Sequence, residues 1–196
     1  MFGLFDKNPA SEAFNDQALI EGTLKGQLKC FDTLITQYRN RVFHFILKHI
    51  GDAPIAEDLA QDTFLSAYQK LSTFQGQSEF STWLLGIALN KVRNYLSRAV
   101  EQRYNLVSDA ILAAYPEEKQ SPLEQAEQNQ LLLAIQEALQ TIPPDLKEVI
   151  ILVSMEGLSY EEAAQLLKVP IGTLKSKLFR AREWIKQFIE KSQTRD

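Results

Sequence analysis

Apolar residues recur at three- and four-residue spacing along almost the whole chain, and no segment alternates with the period of two that marks a half-buried strand. That periodicity restricts the fold to packed helices. It predicts helices over 16–24, 28–50, 54–70, 80–99, 123–141, 144–156, 159–167 and 171–190. Gly26, Gly51 and Gly76 fall in the breaks, where helix-ending residues belong. Pro143-Pro144 starts another helix, because proline is tolerated in a first turn. At 45% hydrophobic and 23% charged residues the composition is that of a globular protein, which excludes disorder throughout. The expected fold is all-α, with two small helical domains over 1–100 and 123–196 and a flexible linker at 101–122. The linker assignment rests on poor periodicity and on the proline-punctuated stretch Tyr115–Pro122.

The formal net charge of −4 argues at first sight against a nucleic-acid partner. Its distribution answers the objection. Residues 1–100 balance 10 basic against 10 acidic side chains, and 101–140 carry 2 basic and 7 acidic ones. Residues 168–182 hold Lys168, Lys175, Lys177, Arg180 and Arg182 with no acid. Binding to phosphate is local, so the acidic total excludes nothing.

The basic stretch sits in a recognisable layout. Ser159 and Glu162 have the spacing of a capping box. Tyr160, Ala163, Ala164 and Leu167 then share one face, and Lys168-Val169-Pro170 makes a short turn into a second helix. This is the order of a helix-turn-helix, whose second helix enters the major groove of duplex DNA. Wound at about 100° per residue, Ile171, Leu174, Leu178, Ala181, Ile185 and Phe188 of that second helix gather on an inward side. Thr173, Lys175, Ser176, Phe179 and Arg180 face the other way, with Lys177 on the flank. A merely solvated face has no use for Phe179, whereas base edges and thymine methyl groups do.

The segment 80–98 carries Lys91, Arg93 and Arg98 without an acid. Winding puts Leu85, Ala88, Leu89, Val92 and Leu96 inward and Phe80, Trp83, Ile87, Asn90, Lys91, Asn94 and Arg98 outward. Aromatics interleaved with amides and cations suit unstacked bases and a single-strand backbone. Packing of Trp83 and Ile87 against another helix accounts for the same pattern. The preceding helix has the reverse electrostatics, with Glu57, Asp58, Gln61, Asp62 and Leu65 opposite its core side. A leucine among acids suits either a basic protein partner or a plain solvated face.

Other functions find little support. The single cysteine, Cys30, cannot form an internal disulfide and is expected to be a small core residue. His44 and His49 are off the spacing that aligns two metal ligands on a helix, and no Walker loop or nucleophile elbow occurs. No metal, cofactor or catalytic residue is expected. The N-terminus lacks a signal peptide's pattern and apolar runs are short, so a soluble cytoplasmic protein without membrane insertion is expected.

Three motifs in this order resemble those of the extracytoplasmic-function sigma factors of bacterial RNA polymerase, over about 16–189. The resemblance is carried by Ala56–Phe64, Phe74–Leu84, Ile87–Asn90, Asn94–Leu96, Leu158–Ala164 and Pro170–Arg182. It implies that Glu57, Asp58, Gln61, Asp62 and Leu65 dock on core RNA polymerase. It implies that Phe74, Ser78, Phe80, Trp83, Asn90, Lys91, Asn94 and Arg98 contact the melted promoter element. Thr173, Lys175, Ser176, Lys177, Phe179 and Arg180 would read the distal element of promoter DNA as duplex, with Tyr160 and Glu161 near its backbone. A cognate anti-sigma factor is a further family expectation. Lys175 and Lys177 stand where such proteins often carry Arg, and Gly86 where they often carry a larger residue. A stand-alone DNA-binding regulator is the alternative function.

Overall fold

The computed structural model describes residues 9–105, 135 and 137–193, and every regular element among them is helical. An N-terminal bundle comprises α1 (Pro9–Leu24), α2 (Leu28–Ile50), α3 (Ala53–Lys70) and α4 (Phe80–Asn105), with a 3-10 turn at Leu71–Thr73. The C-terminal unit comprises α5 (Pro144–Ile150), α6 (Tyr160–Leu167) and α7 (Ile171–Gln193). The all-α, two-unit architecture is the one the periodicity predicts. Helix α4 continues through 101–105, which were expected to be linker. The rest of the expected linker, and most of the expected helix 123–141, lie outside the described residues, although 137–141 are helical.

Local chemistry sets the boundaries. Gly51 closes α2 in the left-handed region, at φ 79°, and its N–H bonds to the Leu47 carbonyl at 2.8 Å. Asp52 immediately caps α3 by accepting from the Ile55 N–H at 3.0 Å. The segment predicted as one α-helix over 144–156 instead changes winding. Residues Ile151–Met155 form a π turn, and the Glu156 N–H bonds five residues back to the Ile151 carbonyl.

The bundle core is built on α2, whose Phe31, Leu34, Tyr38, Val42, Phe45 and Ile46 are buried. The alanines Ala56, Ala60 and Ala67 let α3 approach closely, and Leu84, Leu85, Ala88, Leu89 and Val92 complete the core from α4. Leu96, expected inward, is exposed because α4 has by then run past its neighbours. Cys30 is half-buried rather than a core residue. It fills the gap beside Gly22, where an added Cβ would stand 2.6 Å from its Sγ.

In the C-terminal unit Leu146, Val149 and Ile150 of α5 are buried with Leu174, Leu178 and Ala181 of α7. Ile171, expected inward, is exposed, and Ile185 and Phe188 are half-buried. The two units also touch. Buried side chains from both belong to one apolar cluster, and Leu166 of α6 packs 3.9 Å from the Cβ position of Gly86.

Candidate nucleic-acid interface

The expected capping box at the start of α6 is present in full. The Glu162 N–H donates to the Ser159 hydroxyl at 3.2 Å, and the Ser159 N–H donates to the Glu162 carboxylate at 3.0 Å. Helix α6 ends at Lys168 in the left-handed conformation, at φ 57°, and α7 starts three residues later. Ala163, Ala164 and Leu167 are buried against α7, which fixes its direction.

The outward side of α7 is the one that winding predicts. Thr173, Lys175, Ser176, Phe179 and Arg180 are exposed while Leu174, Leu178 and Ala181 are buried. Phe179 is 68% exposed, more than any other large apolar side chain among the described residues. Lys175 lies over the half-buried Tyr160 ring, 5.8 Å from its centroid, and Glu161 is exposed beside it. Lys177 differs from the others: it is half-buried and its ammonium lies 3.3 Å from Asp145.

On the N-terminal bundle, Phe74, Phe80 and Trp83 form a mutual aromatic cluster with ring centroids 5.3–5.7 Å apart. Phe80, expected on the outward side, is buried, because Tyr38 of α2 and Phe74 of the preceding loop pack their rings against it. From there it supports Trp83 and Phe74, both half-buried. Ser78 is half-buried in the loop before α4. Asn90, Asn94 and Arg98 are exposed along α4. Lys91 is half-buried, 3.7 Å from Asp62. On α3, Glu57, Asp58, Gln61, Asp62 and Leu65 are all exposed and share one side; Leu65 is 58% exposed.

A second set of polar contacts, between residues far apart along the chain, joins the two units: the Arg41 Nε and the Lys48 ammonium lie 3.1 and 2.9 Å from the Glu156 carboxylate. The Arg93 guanidinium of α4 donates twice to the Glu148 carboxylate of α5, at 2.7 Å each, and this bond raises the Arg93 pKa above its ordinary value. The Thr82 hydroxyl donates to Glu162 at 3.2 Å. Burial works against a charged Glu162, but the Ser159 N–H and hydroxyl, Thr82 and the field of Arg41 outweigh it and hold its pKa below the usual value. Lys147, buried and lowered by that burial to about 8, donates to the His49 carbonyl at the end of α2. Among the described residues no helix is long and apolar enough to cross a membrane.

Comparison with known proteins agrees with this geometry. Residues 34–101 match the family description "Sigma-70 region 2", and residues 132–185 match "Sigma-70, region 4". The chain is 33% identical over 186 residues to the ECF RNA polymerase sigma-E factor of Haemophilus influenzae, covering 92% of this chain and 98% of that one. It is 36% identical over 183 residues to the ECF RNA polymerase sigma-E factor of Escherichia coli K12, covering 89% and 94%. Its fold is similar to that of the sigma factor RpoE of Bartonella quintana, solved with the anti-sigma factor NepR. That match has a TM-score of 0.68 and 28% identity over 83% of this chain and 98% of the other. The helix-turn-helix, the aromatic loop with its polar helix, and the acidic face on α3 thus occur within two matched regions in the expected order, and the chain belongs to the extracytoplasmic-function sigma factors of RNA polymerase.

Proposed function

We propose that this sigma factor directs initiation by reading two promoter elements in two physical states while docked on core RNA polymerase. The outward side of α7 reads the distal element as duplex. Thr173, Lys175, Ser176, Phe179 and Arg180 contact base edges and phosphates, Tyr160 and Glu161 lie near the backbone, and Lys177 serves phosphate rather than bases. The loop from Phe74 to Ser78 and the α4 residues Trp83, Asn90, Lys91, Asn94 and Arg98 hold the melted element as single strand, with Phe80 backing the aromatic cluster. Capture of unstacked bases draws melted DNA into a bound state and shifts the opening equilibrium. The chain does no covalent chemistry. The α3 face of Glu57, Asp58, Gln61, Asp62 and Leu65 docks on a basic, partly apolar surface of core polymerase.

The observation that carries this reading is the exposure of Phe179 amid hydroxyl and cationic side chains, on a helix that buries Leu174, Leu178 and Ala181 on its other side. A cognate anti-sigma factor is part of the proposal, supported by the Bartonella sigma factor having been solved with one. The test is transcription in vitro with core polymerase on a library of promoter fragments. Promoter-dependent initiation that needs both the chain and core is expected. Tight site-specific DNA binding by the chain alone, with no initiation, would refute it in favour of a stand-alone regulator.

A further inference from the structure

The aromatic cluster of the N-terminal bundle rests on a buried carboxylate. Phe74 and Trp83, its two half-buried rings, have centroids 5.3 Å apart, and they meet the buried Phe80 at 5.7 and 5.6 Å. Phe80 in turn meets Tyr38 of α2 at 5.5 Å. Tyr38 is buried, and its hydroxyl donates to one oxygen of the Asp16 carboxylate on α1. The Gln37 amide donates to the other carboxylate oxygen at 3.2 Å and to the Tyr38 hydroxyl oxygen at 3.3 Å. Asp16 is itself buried, at 6% exposure. A continuous series of contacts thus runs from this carboxylate, across α1, α2 and α4, to the two rings that reach the surface.

We propose that Asp16 is a positioning residue for single-strand capture, acting through Tyr38 and Phe80 to hold Trp83 and Phe74 ready for an unstacked base. The inference rests on the melted-element reading above. Burying a carboxylate is costly, and well-packed apolar residues often stabilise such a site as well or better. What the carboxylate adds is direction. Apolar contact alone lets a phenol ring slide, whereas a hydrogen bond at its far end fixes the oxygen and with it the ring. Phe80 needs that support, because it is the first residue of α4 and no earlier turn of the helix braces it. Stacking in turn needs an aromatic face held in place before the base arrives, since ordering it afterwards costs affinity.

The test compares full-length Tyr38→Phe, Asp16→Leu and Asp16→Asn with the wild type and with Ile46→Val, which loosens the α2 core about two turns from Tyr38. Two quantities are read. One is the affinity of each chain, bound to core polymerase, for forked promoter DNA with a single-stranded proximal element and for closed duplex. The other is the fluorine NMR line of Trp83 in the free chain labelled with fluorotryptophan, with Trp184→Phe removing the other tryptophan. Tyr38→Phe and Asp16→Leu should each lose about fivefold in affinity for the fork, while affinity for closed duplex is unchanged. Their Trp83 line should shift or broaden. Asp16→Asn, whose amide oxygen still accepts from Tyr38, should restore both readouts to the wild-type values. Ile46→Val should lower the melting temperature and move neither. Unchanged fork affinity in Tyr38→Phe overturns the inference even where Asp16→Leu does not fold. So does a loss shared equally by closed duplex or by Ile46→Val, or one that leaves the Trp83 line unmoved. A wild type that holds the fork no more tightly than closed duplex overturns the melted-element reading itself, so the two failures are told apart.

Discussion

The Thr82 hydroxyl donates to the Glu162 carboxylate at 3.2 Å, so the residue that completes the capping box of the helix-turn-helix also holds the first turn of α4. One carboxylate thus serves two units. Glu162→Ala removes both functions and should destabilise the chain by about 1 kcal/mol, the typical worth of a cap. Thr82→Val removes only the bond between units and should cost about half as much. Thermal unfolding of the two variants checks the order. Because the Glu162 pKa is held low, its contribution is fully present above the ordinary carboxylate value and fades as pH falls through the lower folded one.

His49 supplies a second pH dependence, of opposite chemistry. Its Nδ1 donates to the Phe45 carbonyl at 2.8 Å, so the neutral ring leaves Nε2 as a buried acceptor without a partner among the described residues. Burial is the main reason its pKa falls from 6.5 to about 4, and the positive charge of Lys147 adds to it; the Phe45 bond, Glu148 and Glu156 oppose. The unfolded chain takes up a proton below 6.5 while the folded one does not, so stability drops as pH falls from 6.5 towards 4. The full loss is about 3 kcal/mol. Urea unfolding at pH 7 and pH 4.5 should show a larger drop for the wild type than for His49→Leu. Equal drops would set the effect elsewhere.

Gly86 occupies an α4 position with room for a side chain, since an added Cβ would meet Leu166 at 3.9 Å, an ordinary contact. Gly86→Ala should therefore gain most of the helix propensity that glycine forfeits, about 0.8 kcal/mol. A raised melting temperature is the expected result, and a lowered one would mean that α6 and α4 approach more closely than this spacing. Gly51→Ala should do the reverse, because that residue has φ 79° and the Gln140 side chain lies against it.

On α7, exposure separates recognition from stability. Phe179→Ala should leave the melting temperature within a degree or two and weaken distal-element binding by roughly tenfold. Leu174→Ala, at a fully buried position, should cost about 2–5 kcal/mol. Lys175→Met should weaken DNA binding more than Lys177→Met, because Lys177 is already engaged by Asp145. Equilibrium binding of promoter duplex to the polymerase-bound protein measures both.

Period and capping chemistry made most of this legible. The exposed sides of α3 and α7 follow from winding alone, because each helix buries a continuous stripe on its other side. The Ser159–Glu162 box follows from a spacing of three. Phe80 departs from the winding because it opens its helix, where Tyr38 and the loop residue Phe74, rather than the phase of α4, supply its neighbours. Ile171, the first residue of α7, departs in the opposite sense and is exposed. Arg41, Lys48, Arg93, Glu148 and Glu156 carried no local signal. Their partners lie far along the chain, and nothing in a single sequence tells a charge that will be paired from one that will be solvated. For that reason the contact between the two units is not legible in the sequence.

The π turn at Ile151–Met155 sets how the C-terminal unit tolerates changes of length. Two α-helical turns take about 7.2 residues, and Glu148 and Glu156 are eight apart, so uniform winding would swing their carboxylates about 80° out of line. A π turn absorbs one surplus residue and returns both to the same side. The segment therefore has slack of one residue. Deleting the exposed Ser154 should let it relax to α winding with Glu156 and the helix-turn-helix beyond it still correctly aimed, whereas deleting a residue of α5 upstream should turn everything that follows. Thermal melts of the two deletions would tell them apart, and the one inside the π turn should be the milder.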